Sequence, residues 1–115
     1  MKVTILHNPR CSKSRNSLAL LKEQGIEPDV RLYLEDPPTE EELTSILEML
    51  TLPAQDLLRR GEPEYKELGL DNQNYSQQQL IQLMIKHPKL IERPIVIAGG
   101  KAIIGRPPEQ VLNLL

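Results

Sequence analysis

The stretch HNPRCSKSRN, residues 7–16, holds the only cysteine of the 115-residue chain. Cys11 follows a short apolar run and precedes a helical pattern, so it sits where a strand ends and a helix begins. The first backbone N–H groups of a helix have no internal partner and carry partial positive charge. That setting favours a thiolate, the nucleophilic form of cysteine. Arg10, Lys13 and Arg15 add to the effect, and so does His7 if it is protonated. The same features bind oxyanions, as helix starts bind phosphate. The competing reading, a buried inert cysteine, fits poorly with a proline-containing loop this rich in charge.

The spacing C-S-K-S is that of a C-x-x-C motif with Ser14 in the second position. Ser14 cannot close a disulfide, but its hydroxyl can donate a hydrogen bond to a thiolate. Any disulfide chemistry therefore needs a thiol from outside the chain. Three arginines are candidates for holding an anion: Arg93, before Pro94; Arg106, in GRPP; and Arg59, in LLRRG, with Arg60 beside it. A planar guanidinium suits a tetrahedral oxyanion. The alternative for each is a solvated surface arginine. One Cys and two distant His, His7 and His87, make no metal-ligand cluster. His87, before Pro88, reads as a residue facing a helix C-terminus.

These residues must be positioned by a small set of elements. Val3 to Leu6 reads as a strand, Ser12 to Gln24 as a helix stopped by Gly25, and Asp29 to Leu34 as a second strand. Such a unit implies a parallel pair with a right-handed crossover. Thr39 and Glu42 form a capping box for a helix carrying Leu43, Ile46, Leu47 and Leu50. Two short helical pieces follow, LPAQDLLRRG and PEYKELGL. Ser76 and Gln79 cap a further helix that Pro88 stops. RPIVIAGGKAIIG reads as two strands around Gly99-Gly100, and PPEQVLNLL as a terminal helix with Val111, Leu112 and Leu115 inward. The order β-α-β, helices, β-β-α predicts an α/β fold of thioredoxin-like layout. It has a mixed sheet and an all-helical insertion at about residues 39–88, within a single domain over 1–115.

Composition narrows the function classes. The net charge is -2 and there are three Tyr with no Trp or Phe, which disfavours nucleic-acid binding. No apolar run has the length of a membrane span, and the N-terminus lacks the pattern of a signal peptide. A single cysteine fits a reducing, cytoplasmic setting. Residues 35–48 hold six acids and no base, whereas residues 7–15 hold Arg10, Lys13 and Arg15 and no acid. Local basic spots on a weakly acidic chain suggest a small anionic ligand.

The stretches HNPRCSKSRN, YLEDPPTEEEL, LLRR, LIQLMIKHPKLIERPIV and GRPPEQVL together resemble the arsenate reductase family of the glutaredoxin-coupled type. It looks closer to a short chromosomal branch of that family, since the sequence ends with EQVLNLL where well-studied arsenic-resistance members carry a further segment, and RCSKS replaces their more neutral turn. The resemblance implies catalysis by Cys11 and an oxyanion-binding trio at Arg59, Arg93 and Arg106. It implies that His7 and Ser14 stabilise the thiolate. It also implies arsenate or a similar oxyanion as substrate, glutathione as co-substrate with no tightly bound cofactor, glutaredoxin as partner, and a monomer. Two other functions fit the same residues. One is a glutathione-dependent thiol/disulfide oxidoreductase. The other is an RNA-polymerase-binding regulator like the Spx type, although Ser14 removes the internal redox switch usual there.

Overall fold

The computed structural model describes residues 2–71 and 74–115. The chain divides into two compact units: Met1–Asp36 with Arg93–Leu115, and Pro37–Glu92.

The first unit is a four-stranded sheet, ordered β2-β1-β3-β4, with helix α1. Its strands are β1 (Val3–Leu6), β2 (Asp29–Arg31), β3 (Ile95–Ala98) and β4 (Lys101–Ile104), and α1 spans Ser12–Glu23. β1 and β2 are parallel, as the crossover through α1 requires, and β1–β3 and β3–β4 are antiparallel. The hairpin turns on Gly99 and Gly100, at φ 58° and 78°. Two successive residues in the left-handed region match the strand twist and favour glycine. Strand alternation puts Val3, Ile5, Val96 and Ala98 on one face of the sheet. There they form a core with Leu21 of α1 and Val111, joined by Leu18, Leu20, Ile26, Ile103 and Leu114.

Two expectations change here. β2 ends at Arg31 rather than Leu34, because the Leu32 carbonyl turns back to accept the N–H groups of Glu35 and Asp36. The C-terminal segment Pro108–Leu114 is a 3-10 helix, not an α-helix. Three residues per turn put Val111 and Leu114 on the core cluster, while Leu112 is half-buried beside it and Leu115 is exposed.

The second unit is helical: α2 (Glu40–Leu50), α3 (Ala54–Leu57), α4 (Pro63–Glu67), α5 (Gln77–Lys86) and a 3-10 turn over Pro88–Leu90. Both predicted capping boxes form. Thr39 and Glu42 exchange side-chain and backbone hydrogen bonds at 3.1 and 3.0 Å, and Ser76 and Gln79 do so at 3.1 and 2.8 Å. Leu43, Ile46 and Leu47 of α2 and Leu80, Ile81 and Met84 of α5 are buried at helical spacing. Among the described residues, no helix is long and apolar enough to cross a membrane.

Candidate active site

The loop between β1 and α1 is closed by its own polar groups. The Asn8 carbonyl accepts the Cys11 N–H at 3.0 Å, and the Asn8 side-chain oxygen accepts the Arg10 N–H at 3.0 Å. Arg15 donates from Nη1 to the Pro9 carbonyl at 2.8 Å, which commits one of the three expected cations to holding the loop. Ser14 Oγ accepts the Asn8 N–H at 3.0 Å and lies 2.6 Å from His7 Nδ1. None of the three Asn8 hydrogen bonds follows from the sequence reading, although Asn before Pro is a turn-forming pair.

This loop delivers Cys11 to the N-cap of α1 with extended backbone, φ -96° and ψ 121°. Its thiol makes no capping hydrogen bond, and its carbonyl accepts the Arg15 N–H at 3.0 Å. Among the described residues, the N–H groups of Ser12, Lys13 and Ser14 have no hydrogen-bond acceptor. They form the open, electropositive helix start that suits an anion. Cys11 is buried, 9% exposed, although its charged, proline-containing loop was expected to keep it out of the interior.

Strand register brings two arginines to the same end of the sheet. Leu6 pairs with Ile95, and Ile95 with Ile104, so the end of β1, the start of β3 and the end of β4 lie in one row. The residues just beyond that row are the His7–Cys11 loop, Arg93-Pro94 and Gly105-Arg106. Both Arg93-Pro94 and Arg106-Pro107 are cis peptides. Arg106 donates from Nε to the Arg93 carbonyl at 2.8 Å and points Nη2 at Cys11 Sγ, 3.7 Å away. The guanidinium is anchored through Nε while Nη2 faces the sulfur. Arg93 itself is half-buried.

Gly105 makes this approach possible. A Cβ there would stand 2.4 Å from Ser17 Oγ and 2.8 Å from the Pro94 ring. The stripe of α1 buried against this end is Ser14, Ser17 and Leu21. Two serines do not mark a buried face in a sequence, so the polar part of the stripe escaped the periodicity.

His7 is buried, and its pKa is lowered from the ordinary 6.5, first by loss of solvation and then by the charges of Arg15 and Lys22. The imidazole is therefore neutral near pH 7, and the condition under which it would lend the thiolate a positive charge is not met there. Its connection to the site is the hydrogen bond with Ser14.

Arg59 belongs to the second unit. Its N–H donates to the Leu90 carbonyl at 2.8 Å, next to the antiparallel bridge between Leu58 and Ile91. Its guanidinium is paired with Glu62 at 2.5 Å and with Glu92 at 3.4 Å. Arg60 is exposed and lines a separate cavity with Tyr65, Asp71 and Tyr75. Among the described residues, no group of three or more acidic, His or Cys side chains is arranged to hold a metal ion.

Comparison with known proteins places this geometry in a family. The sequence pattern of the ArsC family matches residues 6–114. The protein YfgD of Escherichia coli K12 is 55% identical over 115 residues, covering 99% of this chain and 97% of YfgD. An arsenate reductase of Haemophilus influenzae is 49% identical over 116 residues, covering all of both chains. The solved structure of an arsenate reductase from Vibrio cholerae superposes with a TM-score of 0.97 at 52% identity, covering 100% of this chain and 98% of that one. The fold is the thioredoxin-like fold of these neighbours, and the chain belongs to the ArsC family.

Proposed function

We propose that the protein reduces arsenate to arsenite, with Cys11 as nucleophile and thiols from outside the chain as the source of electrons. The observation that carries this reading is the meeting of a lone thiol, an open helix start and an anchored guanidinium at one point. Cys11 caps α1 without a capping bond of its own, and Arg106 Nη2 stands 3.7 Å from its sulfur.

An arsenate oxygen held by Arg106 and the N–H groups of Ser12, Lys13 and Ser14 leaves the arsenic open to the Cys11 sulfur. Attack forms a sulfur–arsenic bond and releases one arsenate oxygen as water. The glutathione thiol then displaces a second arsenic-bound oxygen as water. A glutaredoxin thiolate attacks the glutathione sulfur, the electron pair of the broken sulfur–arsenic bond stays on arsenic, and a glutaredoxin–glutathione disulfide leaves. One water hydrolyses the remaining bond between Cys11 sulfur and arsenic, releasing arsenite and the Cys11 thiol. In total two thiols become one disulfide, arsenic gains two electrons, and one oxygen departs as water. By resemblance to the family, Arg93 joins Arg106 in holding the oxyanion, and Arg59, in the second unit, is a further candidate on that resemblance alone. Arg59 must then share its charge with Glu62 and Glu92. Ser14, oriented by neutral His7, holds the loop in the form that supports the thiolate. The one cysteine fits a scheme with external reductants in a reducing, cytoplasmic setting, and the resemblance to the family suggests a monomer.

The test is arsenite production from arsenate by the purified protein with glutathione and glutaredoxin, beside a Cys11→Ser control. Turnover that vanishes in the control is the expected result. Absence of turnover in the parent protein overturns the arsenate assignment and redirects the search to mixed disulfides of glutathione.

A further inference from the structure

The first unit carries a second concave feature, on the far side of the Cys11 loop from Arg106. A cavity of about 310 Å³ lies between the His7–Arg10 segment and Leu32, Leu34 and Glu35. That volume is at the lower end of the range for small-molecule sites, about 300 Å³ and upward. Its wall is chemically mixed. Pro9, Leu32 and Leu34 are apolar, Arg10 is a cation and Glu35 an anion.

Three features mark it as more than a crease. Val30, Leu32 and Leu34 are three of the four large apolar residues left exposed among the described residues, and they alternate along one edge of the unit. Neither Arg10 nor Glu35 has an ion-pair partner among the described residues, although both line the same cavity. The Glu35 turn is also built firmly. The Leu32 carbonyl accepts from Glu35 and Asp36 at 3.0 and 2.9 Å, and Arg31 Nε donates to the Asp36 carbonyl at 3.0 Å. A cation and an anion that line one cavity together with Pro9, Leu32 and Leu34 complement a ligand with an anionic end, a cationic end and methylenes between them.

Proximity to the thiol completes the argument. Arg10 immediately precedes Cys11, and Asn8 accepts the Cys11 N–H. Cys11 does not itself line the cavity, but its chain neighbour Arg10 does, so a molecule seated there lies one residue along the loop from the thiol that must be regenerated.

We propose that this cavity is the subsite for the small peptide thiol that serves Cys11, with Arg10 taking a carboxylate of the peptide and Glu35 its ammonium group. The proposal rests on the reading of Cys11 as a thiol-regenerated nucleophile, and it deepens that reading by separating the reductant's place from the oxyanion's. The oxyanion meets the Arg106 side of the sulfur, and the reductant the loop side.

The test uses S-methylglutathione, which keeps the charges of the tripeptide thiol but cannot react. Binding to the full chain is followed by NMR chemical shifts without arsenate. Saturable shifts at residues 7–10 and 32–35 are expected, with the Kd raised about tenfold in Glu35→Ala and in Arg10→Ala, the scale of losing one charge-assisted contact. In turnover, Glu35→Ala should raise the KM for glutathione and leave the KM for arsenate as it was. No saturable binding, shifts confined to other residues, or a Kd unchanged in both variants overturns the proposal. A rise in the KM for glutaredoxin instead of glutathione also overturns it, and gives the surface to the protein reductant. Specific binding by a protein that does not turn over arsenate upholds the subsite while the arsenate reading fails.

Discussion

Gly105→Ala tests how the thiol and Arg106 are brought together. The added methyl meets Ser17 Oγ at 2.4 Å, the Pro94 ring at 2.8 Å and Val111 at 3.2 Å. The first two lie inside van der Waals contact, and neither neighbour is the loose end of a long side chain. Overpacking of this kind costs about 1–3 kcal/mol. Two close contacts on short, constrained groups put the expected cost near the upper part of that range, about 2 kcal/mol. With a urea dependence of about 1.5 kcal/mol per molar, typical for a small domain, the unfolding midpoint should fall by roughly 1.3 M. Ser17→Ala removes the nearer clash. Alone it should be close to neutral, because among the described residues Ser17 Oγ is buried without a hydrogen-bond partner. In the Ser17→Ala background Gly105→Ala should cost about 1 kcal/mol less, a coupling of the size seen between residues in contact. Equilibrium urea unfolding of the four proteins gives the cycle. A Gly105→Ala protein within about 0.5 kcal/mol of the parent, or a cost identical in both backgrounds, would refute the packing argument.

Other expectations follow from the same geometry. The lowered pKa of His7 means that the unfolded chain takes up a proton near pH 6.5 which the folded chain resists. Stability should therefore fall as the pH drops below about 6.5, with a slope of at most about 1.4 kcal/mol per pH unit from this group. His7→Gln should flatten that part of the profile in urea titrations at pH 5.5, 6.5 and 7.5. Arg106→Lys keeps the charge but cannot hold the Arg93 carbonyl and face Cys11 Sγ at once, so the KM for arsenate should rise about tenfold or more in steady-state assays. Thr39→Ala removes one half of a capping box and should cost about 1 kcal/mol in thermal or urea unfolding. Glu92→Gln loosens a partly exposed pair with Arg59, and the stability change should stay under about 1 kcal/mol.

Much of the architecture was legible because it follows from local rules. The capping boxes at Thr39 and Ser76, the hairpin at Gly99-Gly100 and the stop at Gly25 each depend on residues within a few positions of one another. Cys11 at a strand-to-helix turn was legible for the same reason. The errors came where the apolar pattern does not match the backbone that forms. β2 stops at Arg31 because the next carbonyl folds back into a turn, while the apolar alternation continues through Leu32 and Leu34 on an exposed edge. The terminal segment has the composition of an α-helix but winds as a 3-10 helix with Val111 in the core.

The sequence by itself determined which groups are present and how each is locally held: one thiol at a helix start, arginines before and after the last two strands, and a hydroxyl three residues past the thiol. Tertiary structure decided which of them meet. Register between β1, β3 and β4 brings Arg106 to Cys11 across 95 positions of chain. Burial makes His7 neutral and directs it to Ser14 rather than leaving it as a cation. Such pairings depend on the through-space distance and solvation of residues far apart in sequence, and those are set only when the sheet closes.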